Sequence, residues 1–530
     1  MGDPGFEPGT AAYHCPVAST PERIVRLRDA LDPFNGNELD VARRQSRVLR
    51  ERLGFYGGLV KSLVLLAALG STLVAAAGAI GASFDQVNVS NLRGSQAEVA
   101  IAADPTNPDV LLAASNSIDS RSPTSLGNMM RTYSSADGGA TWTVGLGPAA
   151  TPYGGVKRCN SGDPAPAIDT AGRQYIAFLA GRCMTTLESI LRGGHEFDFA
   201  RLEVATRANA ASSWQVNQVF PVRSARFDDK PAIAVDNSPA SPHTGRIYVA
   251  WTRITPGREH GGPVTELIVV SHSDDHGVTW TRPAVVPDAR SNQTTFAGLA
   301  VDSAGTLFVS WADTDHHLFL DHSVDGGETF GADVVLDLGL YASPCFPDSF
   351  SVPAQAQRCL TPTPMVVVDS RPGVPERVYV TYSKPDRSGR ALDVAVRAYD
   401  QNLAPVGAEH AVHPSDTGRD EFMSASAVDD QGRLWVCYYD TGLDRTRKTA
   451  QYTCTASADG AVTFAAPRVV ASVASNETKK PALSFQYGDY EGLAVAGGVA
   501  HPIWTDARDL TTAGEEIYTS TLTAADLQLP

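Results

Sequence analysis

The chain has few charged residues, and positive charge is the scarcer sign. Of its 530 residues only 19% are charged, and the formal net charge is −16 at pH 7. Nucleic acid carries a dense negative charge that such a chain would repel, so we expect no nucleic-acid partner. Hydrophobic residues make up 43% of the chain, which is typical of a protein that folds around a core.

Cysteine is also scarce, and its spacing excludes the usual zinc motifs. No CxxC or paired His/Cys spacing appears, and we expect neither a metal nor a cofactor. Six of the seven cysteines follow residue 83, and an even number there favours disulfides formed in an oxidising compartment. The expected pairs are Cys159 with Cys183, Cys345 with Cys359, and Cys437 with Cys454.

A long apolar run lies near the N-terminus, from Leu63 to Ile80, and several arginines precede it. Positive charge before an apolar segment is typical of export signals and anchors. We therefore predict a signal peptide or membrane anchor over 59–83 and an extracellular or cell-surface protein that meets a membrane only through this segment. Residues 1–58 are predicted to be cytoplasmic, or to result from a start codon assigned too early. Gly5–Pro8 matches the translated T-arm consensus of a transfer-RNA gene.

Helical periodicity is absent after this segment, and a repeated phrase is found instead. Short runs of small and β-branched residues recur seven times at intervals of 60 to 67 residues. A period of this length indicates one supersecondary unit used repeatedly. The last positions of the seven phrases are Asp104, Asp169, Asp236, Asp302, Asp369, Asp429 and Ala496.

Each phrase is followed by further short strands. Aromatic and β-branched runs at 245–252, 305–313 and 432–440 are examples of the second strand. Four antiparallel strands per unit are typical of a propeller blade, so we predict an all-β fold. The prediction is a single monomeric β-propeller over 84–530 with seven blades, six being the alternative. The last unit has three strands, so we expect Asp85–Ser90 to supply the fourth and close the ring.

Four turns carry the motif Ser-x-Asp-x-Gly-x-Thr followed by Trp or Phe, the last in a looser copy. In such a turn Asp accepts backbone N–H bonds, Gly takes a positive φ, and the aromatic ring packs beneath. The aspartates are Asp137, Asp275, Asp325 and Asp459. On these motifs the chain resembles the Asp-box (BNR repeat) proteins of the sialidase superfamily over about residues 84–525. That superfamily includes exo-sialidases, other glycoside hydrolases and non-catalytic propellers.

Blade topology separates a repeated face from a variable one. The repeating aspartates and the Asp boxes share one face, where their regularity indicates a structural role. The starts of the inner strands lie on the opposite face, and variable loops on a repeated scaffold are where function is usually found. Charged and aromatic residues expected there include Arg93, Glu98, Asp163, Arg226, Asp228, Asp229, Lys230, Arg419, Asp420, Glu421, Asp440, Asp489, Tyr490, Glu491 and Arg508. Arginines in such a cluster favour an anionic sugar.

The resemblance implies roles for some of these residues. Sialidases use a tyrosine nucleophile paired with a glutamate, an aspartate acid and three arginines that bind the substrate carboxylate. Matched by role, Tyr490 pairs with Glu421 or Glu491, and Asp163 or Asp228 is the acid. The residues expected to bind substrate are Arg226, Arg419, Arg508 and Asp229.

Two functions are compatible with this pattern. The first is an exported, sialidase-like glycoside hydrolase that acts on terminal, anionic sugars at the channel mouth. The alternative is a non-catalytic cell-surface propeller that binds glycans or proteins through the same mouth. Asn91–Gly94 stands where sialidases carry an Arg-Ile-Pro tripeptide.

Overall fold

The computed structural model describes most of the chain after residue 83. The described ranges are 84–118, 129–152, 157–183, 200–220, 227–255, 264–288, 293–313, 317–338, 351–414, 417–479, 485–508 and 514–529. The apolar run that we interpret as a signal or anchor lies outside them, as do Arg226 and Cys345. The described residues contain no helix that is long and apolar enough to cross a membrane.

The described strands form seven antiparallel sheets, and each sheet is one blade. Blade one contains β2 (Ser95–Ala103), β3 (Leu111–Ile118), β4 (Met130–Ser135) and β5 (Thr143–Leu146). Blade two contains β6 (Arg158–Ile168), β7 (Gln174–Arg182), β8 (Arg201–Arg207) and β9 (Gln215–Gln218). Blade three contains β10 (Phe227–Val235), β11 (Ile247–Thr255), β12 (Thr265–Ser273) and β13 (Ala284–Val285). Blade four contains β14 (Thr294–Val301), β15 (Leu307–Asp313), β16 (His317–Ser323) and β17 (Val334–Leu338).

The remaining blades have the same strand order. Blade five contains β18 (Met365–Asp369), β19 (Arg377–Pro385), β20 (Leu392–Tyr399) and β21 (His410–Ala411). Blade six contains β22 (Glu421–Val428), β23 (Leu434–Asp440), β24 (Gln451–Ser457) and β25 (Arg468–Val469). Blade seven contains β26 (Gly492–Ala496), β27 (Val499–Asp506), β28 (Glu516–Ser520) and, from the other end of the described chain, β1 (Gln86–Asn88), while β29 (Leu522–Thr523) also pairs with β27. Short 3₁₀ helices occur at Pro353–Gln355, Glu477–Lys479 and Ala524–Leu527.

The ring closes as the sequence predicts. Strand β1 pairs antiparallel with β28, so that Gln86 lies opposite Ser520 and Asn88 opposite Tyr518. Val89 follows β1, is 1% exposed, and packs with Ile517 in the core. Pairing the two ends of the described chain hides both open sheet edges, which would otherwise be exposed to other chains. The prediction of an all-β propeller with seven blades is confirmed.

The repeated aspartates hold turns on the face opposite the variable loops. Asp302 accepts the backbone N–H groups of Ala304 and Thr306 at 2.8 and 2.7 Å. In the Asp boxes Asp275 accepts the N–H of Thr279 at 2.8 Å and its hydroxyl at 2.6 Å. These bonds satisfy backbone donors within tight turns, which is a structural role.

The core lies between neighbouring blades. The second strand of blades three, four, six and seven each carries one fully buried tryptophan, namely Trp251, Trp311, Trp435 and Trp504. Ring packing of this kind buries the face that a single blade would leave exposed. Two of the predicted disulfides are present, Cys159–Cys183 and Cys437–Cys454. Cys359 is disulfide-bonded as well.

Candidate functional site

Each repeat has an equivalent residue near the start of its inner strand, six positions before the end of the repeated phrase. These seven positions are Glu98, Asp163, Lys230, Phe296, Thr363, Met423 and Tyr490. All except Tyr490 have a positive φ, between 39° and 58°. A left-handed conformation is unfavourable for residues with a side chain. Because it recurs at equivalent positions, we infer that the propeller fold itself imposes it.

A β-bulge produces this conformation in blades one, two, three, four and six. In blade three the register of β10 against β11 shifts between Asp229 and Ala232, on either side of Lys230. In the other four blades the register shifts around the equivalent residues, which are Glu98, Asp163, Phe296 and Met423. A bulge redirects the side chain of the extra residue. In blades one, two and three the redirected side chains, those of Glu98, Asp163 and Lys230, come together.

The side chains from blades one, two, three and seven meet across the channel. The ammonium of Lys230 donates a hydrogen bond to Asp489 and lies 3.6 Å from an Asp163 oxygen and 4.0 Å from a Glu98 oxygen. Blades three and seven are not neighbours, so the contact between Lys230 and Asp489 spans the axis. We call Glu98, Asp163, Asp229, Lys230, Arg358, Asp489 and Tyr490 the axial cluster.

Arg358 reaches the axial cluster from the connection between blades four and five. Its Nε donates to Asp489 at 2.7 Å, and its Nη2 donates to both Asp489 and Glu98. The connection is held against blade seven, because Gln355 donates to the Gly488 carbonyl at 2.9 Å and accepts the N–H of Tyr487 at 3.1 Å. Sequence reasoning missed Arg358, which belongs to no repeat.

The carboxyl groups of the cluster are linked to one another. The Asn116 amide donates to both Glu98 and Asp163, and the Asp163 N–H donates back to its oxygen at 2.8 Å. Asp163 and Asp229 also share a side-chain hydrogen bond. Such a bond forms only while one of the two carboxyls is protonated, and it adds to the effect of burial in raising the pKa of Asp229.

Burial and charge divide the cluster into groups of different ionisation. Burial raises the pKa of Glu98 to about 8, against the opposing charges of Arg358 and Lys230. Burial likewise raises the pKa of Asp229. Burial also disfavours the charged form of Asp489, but Arg358 and Lys230 outweigh it and hold its pKa well below the usual range. The cluster therefore combines an ionised Asp489 with carboxyls that keep protons near neutral pH.

Tyr490 contributes a phenol to the same cluster. Its hydroxyl oxygen is buried and has no hydrogen-bond partner among the described residues. Burial raises its pKa well above the ordinary value, and the charges of Asp163 and Glu98 raise it further. The Lys230 ammonium lies 6.0 Å from the centre of its ring. A buried hydroxyl without a partner is costly unless a ligand or water completes it.

Three other predicted site residues form hydrogen bonds with residues outside the axial cluster. Asp228 accepts bonds from Trp251 at 2.8 Å and Arg253 at 2.9 Å in blade three. Arg508 donates to Asp506 at 2.6 Å. Glu491 is 4% exposed and accepts the Tyr439 hydroxyl at 2.6 Å. These pairs stabilise blades, and the roles predicted for the three residues stay predictions.

Glu421 and Arg419 line a different cavity, on blade six, together with Tyr438 and Asp440. We call it the blade-six cavity; its volume is about 320 Å³. Burial raises the pKa of Glu421 to about 9, and Asp440 adds to the effect. Of the predicted site residues, the structure thus brings together Asp163, Asp229 and Tyr490 at the axis, and Glu421 and Arg419 elsewhere.

Comparison with known proteins gives matches only among solved structures. No protein family matches the sequence, and no curated protein does. A Hadza microbial sialidase is similar at 14% identity over 81% of this chain and 66% of its own, with a TM-score of 0.43. The leech intramolecular trans-sialidase is similar at 12% identity over 68% of this chain and 67% of its own, with a TM-score of 0.43. The NanB sialidase of Streptococcus pneumoniae is similar at 12% identity over 69% of this chain and 68% of its own, with a TM-score of 0.41. The chain spans about two thirds of the length of these proteins. By its own strand pairing and turn motifs, this chain is a seven-bladed β-propeller with Asp boxes.

Proposed function

We propose that the protein is an extracellular glycoside hydrolase of sialidase type and that the axial cluster is its active centre. The observation that carries the proposal is the buried Tyr490 hydroxyl, which has no described hydrogen-bond partner and shares a channel with carboxyls and two cations. The disulfides Cys159–Cys183 and Cys437–Cys454 support an oxidising, extracellular location.

Tyr490 is the proposed nucleophile. A tyrosine hydroxyl suits an anionic sugar, because an ionised carboxylate nucleophile would be repelled by the substrate. The raised pKa of Tyr490 means that its proton must leave as the oxygen attacks. Glu98 is the proposed acceptor in the fraction of molecules in which it is ionised, since a weaker acid is a stronger base once ionised. Burial raises its pKa to about 8, so turnover should increase as the pH rises through that value. This assigns to Glu98 the role predicted for Glu421 or Glu491.

Asp163 is the proposed general acid and base. It donates the proton that it shares with Asp229 to the departing glycosidic oxygen while Tyr490 bonds to the anomeric carbon. In the second half-reaction Asp163 removes a proton from water, which displaces the tyrosyl oxygen, and Glu98 returns its proton to that oxygen. Arg358 and Lys230 bind the substrate carboxylate alongside Asp489.

A fluorogenic sialoside assay on the purified chain tests the proposal. We expect turnover by the wild type and a loss of at least about a thousandfold in Tyr490→Phe, because removal of a nucleophile removes the covalent step. Tyr452→Phe is the matched control: Tyr452 is fully buried, and its hydroxyl also lacks a described partner, but it belongs to the core of blades six and seven. Turnover that survives in Tyr490→Phe would contradict the assignment.

One observation favours a second candidate, a propeller that binds glycans without turnover. Both cations of the cluster already contact Asp489, so neither cation needs a substrate carboxylate as its partner. Calorimetric titration with a sialoside separates the two functions. Binding that Arg358→Met abolishes, with no hydrolysis by the wild type, would favour the binding propeller.

A further inference from the structure

The blade-six cavity is a second polar site that the proposed hydrolysis does not use. It opens beside the start of β22 and the end of β23, where Glu421 lies opposite Asp440. Asp393 on β20 of blade five lies close by: one ligand atom each from Asp393, His413 and Glu421 fall within 4.8 Å of one another. Carboxyls from two neighbouring blades therefore come together beside the cavity.

Two buried oxygens at the cavity have no hydrogen-bond partner in the part of the chain that the structure describes. One is Oε2 of Glu421, a residue that is 4% exposed. The other is the hydroxyl of Tyr438, which is 1% exposed and lines the cavity as well. Buried polar oxygens normally find a partner, so an unpartnered pair facing one cavity indicates a missing ligand.

Two of these carboxyl groups, those of Glu421 and Asp440, have no Lys or Arg in direct contact. Within the described residues, no Lys or Arg nitrogen lies within 4.0 Å of Glu421 or Asp440. The nearest basic group is the imidazole of His413, whose Nε2 lies 3.9 Å from Glu421, and burial lowers the pKa of this histidine. The axial cluster is different, because there Lys230 and Arg358 neutralise the carboxylates directly. Buried carboxylates without a partner charge favour a cation from solution.

His413 limits which cation fits. Its Nε2 accepts the N–H of Val394 at 3.0 Å, and its Nδ1 lies 3.1 Å from the Pro414 carbonyl, to which it donates. Both nitrogens are thus engaged, and the imidazole has no free lone pair for zinc or copper. The remaining donors are oxygens, which calcium prefers, and oxygens on opposite sides of a calcium ion lie about 4.6 to 5.2 Å apart.

We propose that Asp393, Glu421 and Asp440 form a calcium site that links blades five and six. The Tyr438 hydroxyl and water complete the coordination. Arg419 at the rim then faces a neutralised site rather than the axial substrate. The inference is independent of the proposed hydrolase function, since it concerns a separate cavity and predicts a stabilising ion.

Calorimetric titration of the EDTA-treated full chain with calcium chloride tests the site. We expect one saturable site and a thermal midpoint that rises by about 2 to 4 °C at saturating calcium, because the ion binds only the folded blades. Asp440→Asn is expected to weaken binding at least about tenfold, and Glu421→Gln to abolish the calcium-dependent rise.

Glu376→Gln is the control, since Glu376 is a half-buried glutamate in blade five with an unpartnered oxygen of its own; it should bind calcium like the wild type. If Glu421→Gln does not fold, the wild-type titration and Asp440→Asn still decide. No calcium-dependent heat or midpoint shift in the wild type would overturn the proposal. An equal loss in Glu376→Gln, or stabilisation by methylammonium but not by calcium, would overturn it too.

Discussion

Removal of the Lys230 ammonium should destabilise the propeller in a way that depends on pH. The side chain is 3% exposed and lies 3.6 Å from Asp163 and 4.0 Å from Glu98, besides its bond to Asp489. At an effective dielectric constant of 20, one such pair interacts by about 4 to 5 kcal/mol. Desolvation of the ammonium offsets part of this, and removal of one partner of a buried pair typically costs about 3 to 5 kcal/mol. We expect Lys230→Met to lose that much at pH 8.

The loss should be smaller at pH 5, and the sign follows from the pKa shifts. In the wild type the lowered pKa of Asp489 gives stability that is present at neutral pH and is lost in acid. Without Lys230 the pKa values of Asp163, Asp489 and Glu98 rise. Carboxyls with raised pKa values favour the folded state at low pH and lose that contribution as the pH increases through them.

Urea denaturation at pH 5 and pH 8 measures both effects. Lys384→Met is the control, because Lys384 pairs with Glu409 at 2.8 Å but is 25% exposed, and a pair of that exposure is worth about 1 kcal/mol or less. A Lys230→Met protein that matches the control, or that is destabilised equally at both pH values, would refute the idea of a buried ionic cluster.

Three further predictions concern stability. The pKa of Glu98 is raised by burial to about 8, so the free energy of unfolding of the wild type should fall between pH 5 and pH 9 as this group ionises. Glu98→Gln should remove on the order of 4 kcal/mol of that fall. The same pH dependence in the urea denaturation of both proteins would contradict this. Ala461→Gly should stabilise the looser Asp box by up to about 1 kcal/mol, because Ala461 has a φ of 67° where the regular boxes have glycine; a lower thermal midpoint would count against it. Gly139→Ala should lower the thermal midpoint more than Gly373→Ala. The two glycines have similar φ values, but Gly373 has open space around it, whereas a Cβ at Gly139 would lie 3.3 Å from the Leu111 side chain. Equal midpoints would show that the Leu111 side chain moves aside without cost.

The fold was predictable because its signals are local and repeated. The second strand expected over 432–440 is β23, Leu434–Asp440, since alternation and the flanking turn define it within a few residues. Even the closing strand near Asp85–Ser90 followed from counting strands in the last blade. The number of blades was equally accessible, because each phrase marks one inner strand.

The site was predictable only in part, for a physical reason. Asp163 and Tyr490 lie at a fixed offset from the repeated phrase, and the same offset marks Lys230 and Glu98. Arg358 has no such offset, since long-range packing and hydrogen bonds to blade seven place it. The bulges also direct Asp229 to the axis and its neighbour Asp228 to Arg253, a distinction that strand order alone does not contain.

Trapping of the covalent intermediate tests the central claim most directly. A sialosyl fluoride with a second fluorine beside the anomeric carbon slows the breakdown of a glycosyl–enzyme, and peptide mass mapping then locates the modified residue. We expect one adduct per chain, on the peptide that contains Tyr490, and none in Tyr490→Phe. An adduct on another residue, or an unmodified chain that also fails to hydrolyse sialosides, would contradict it.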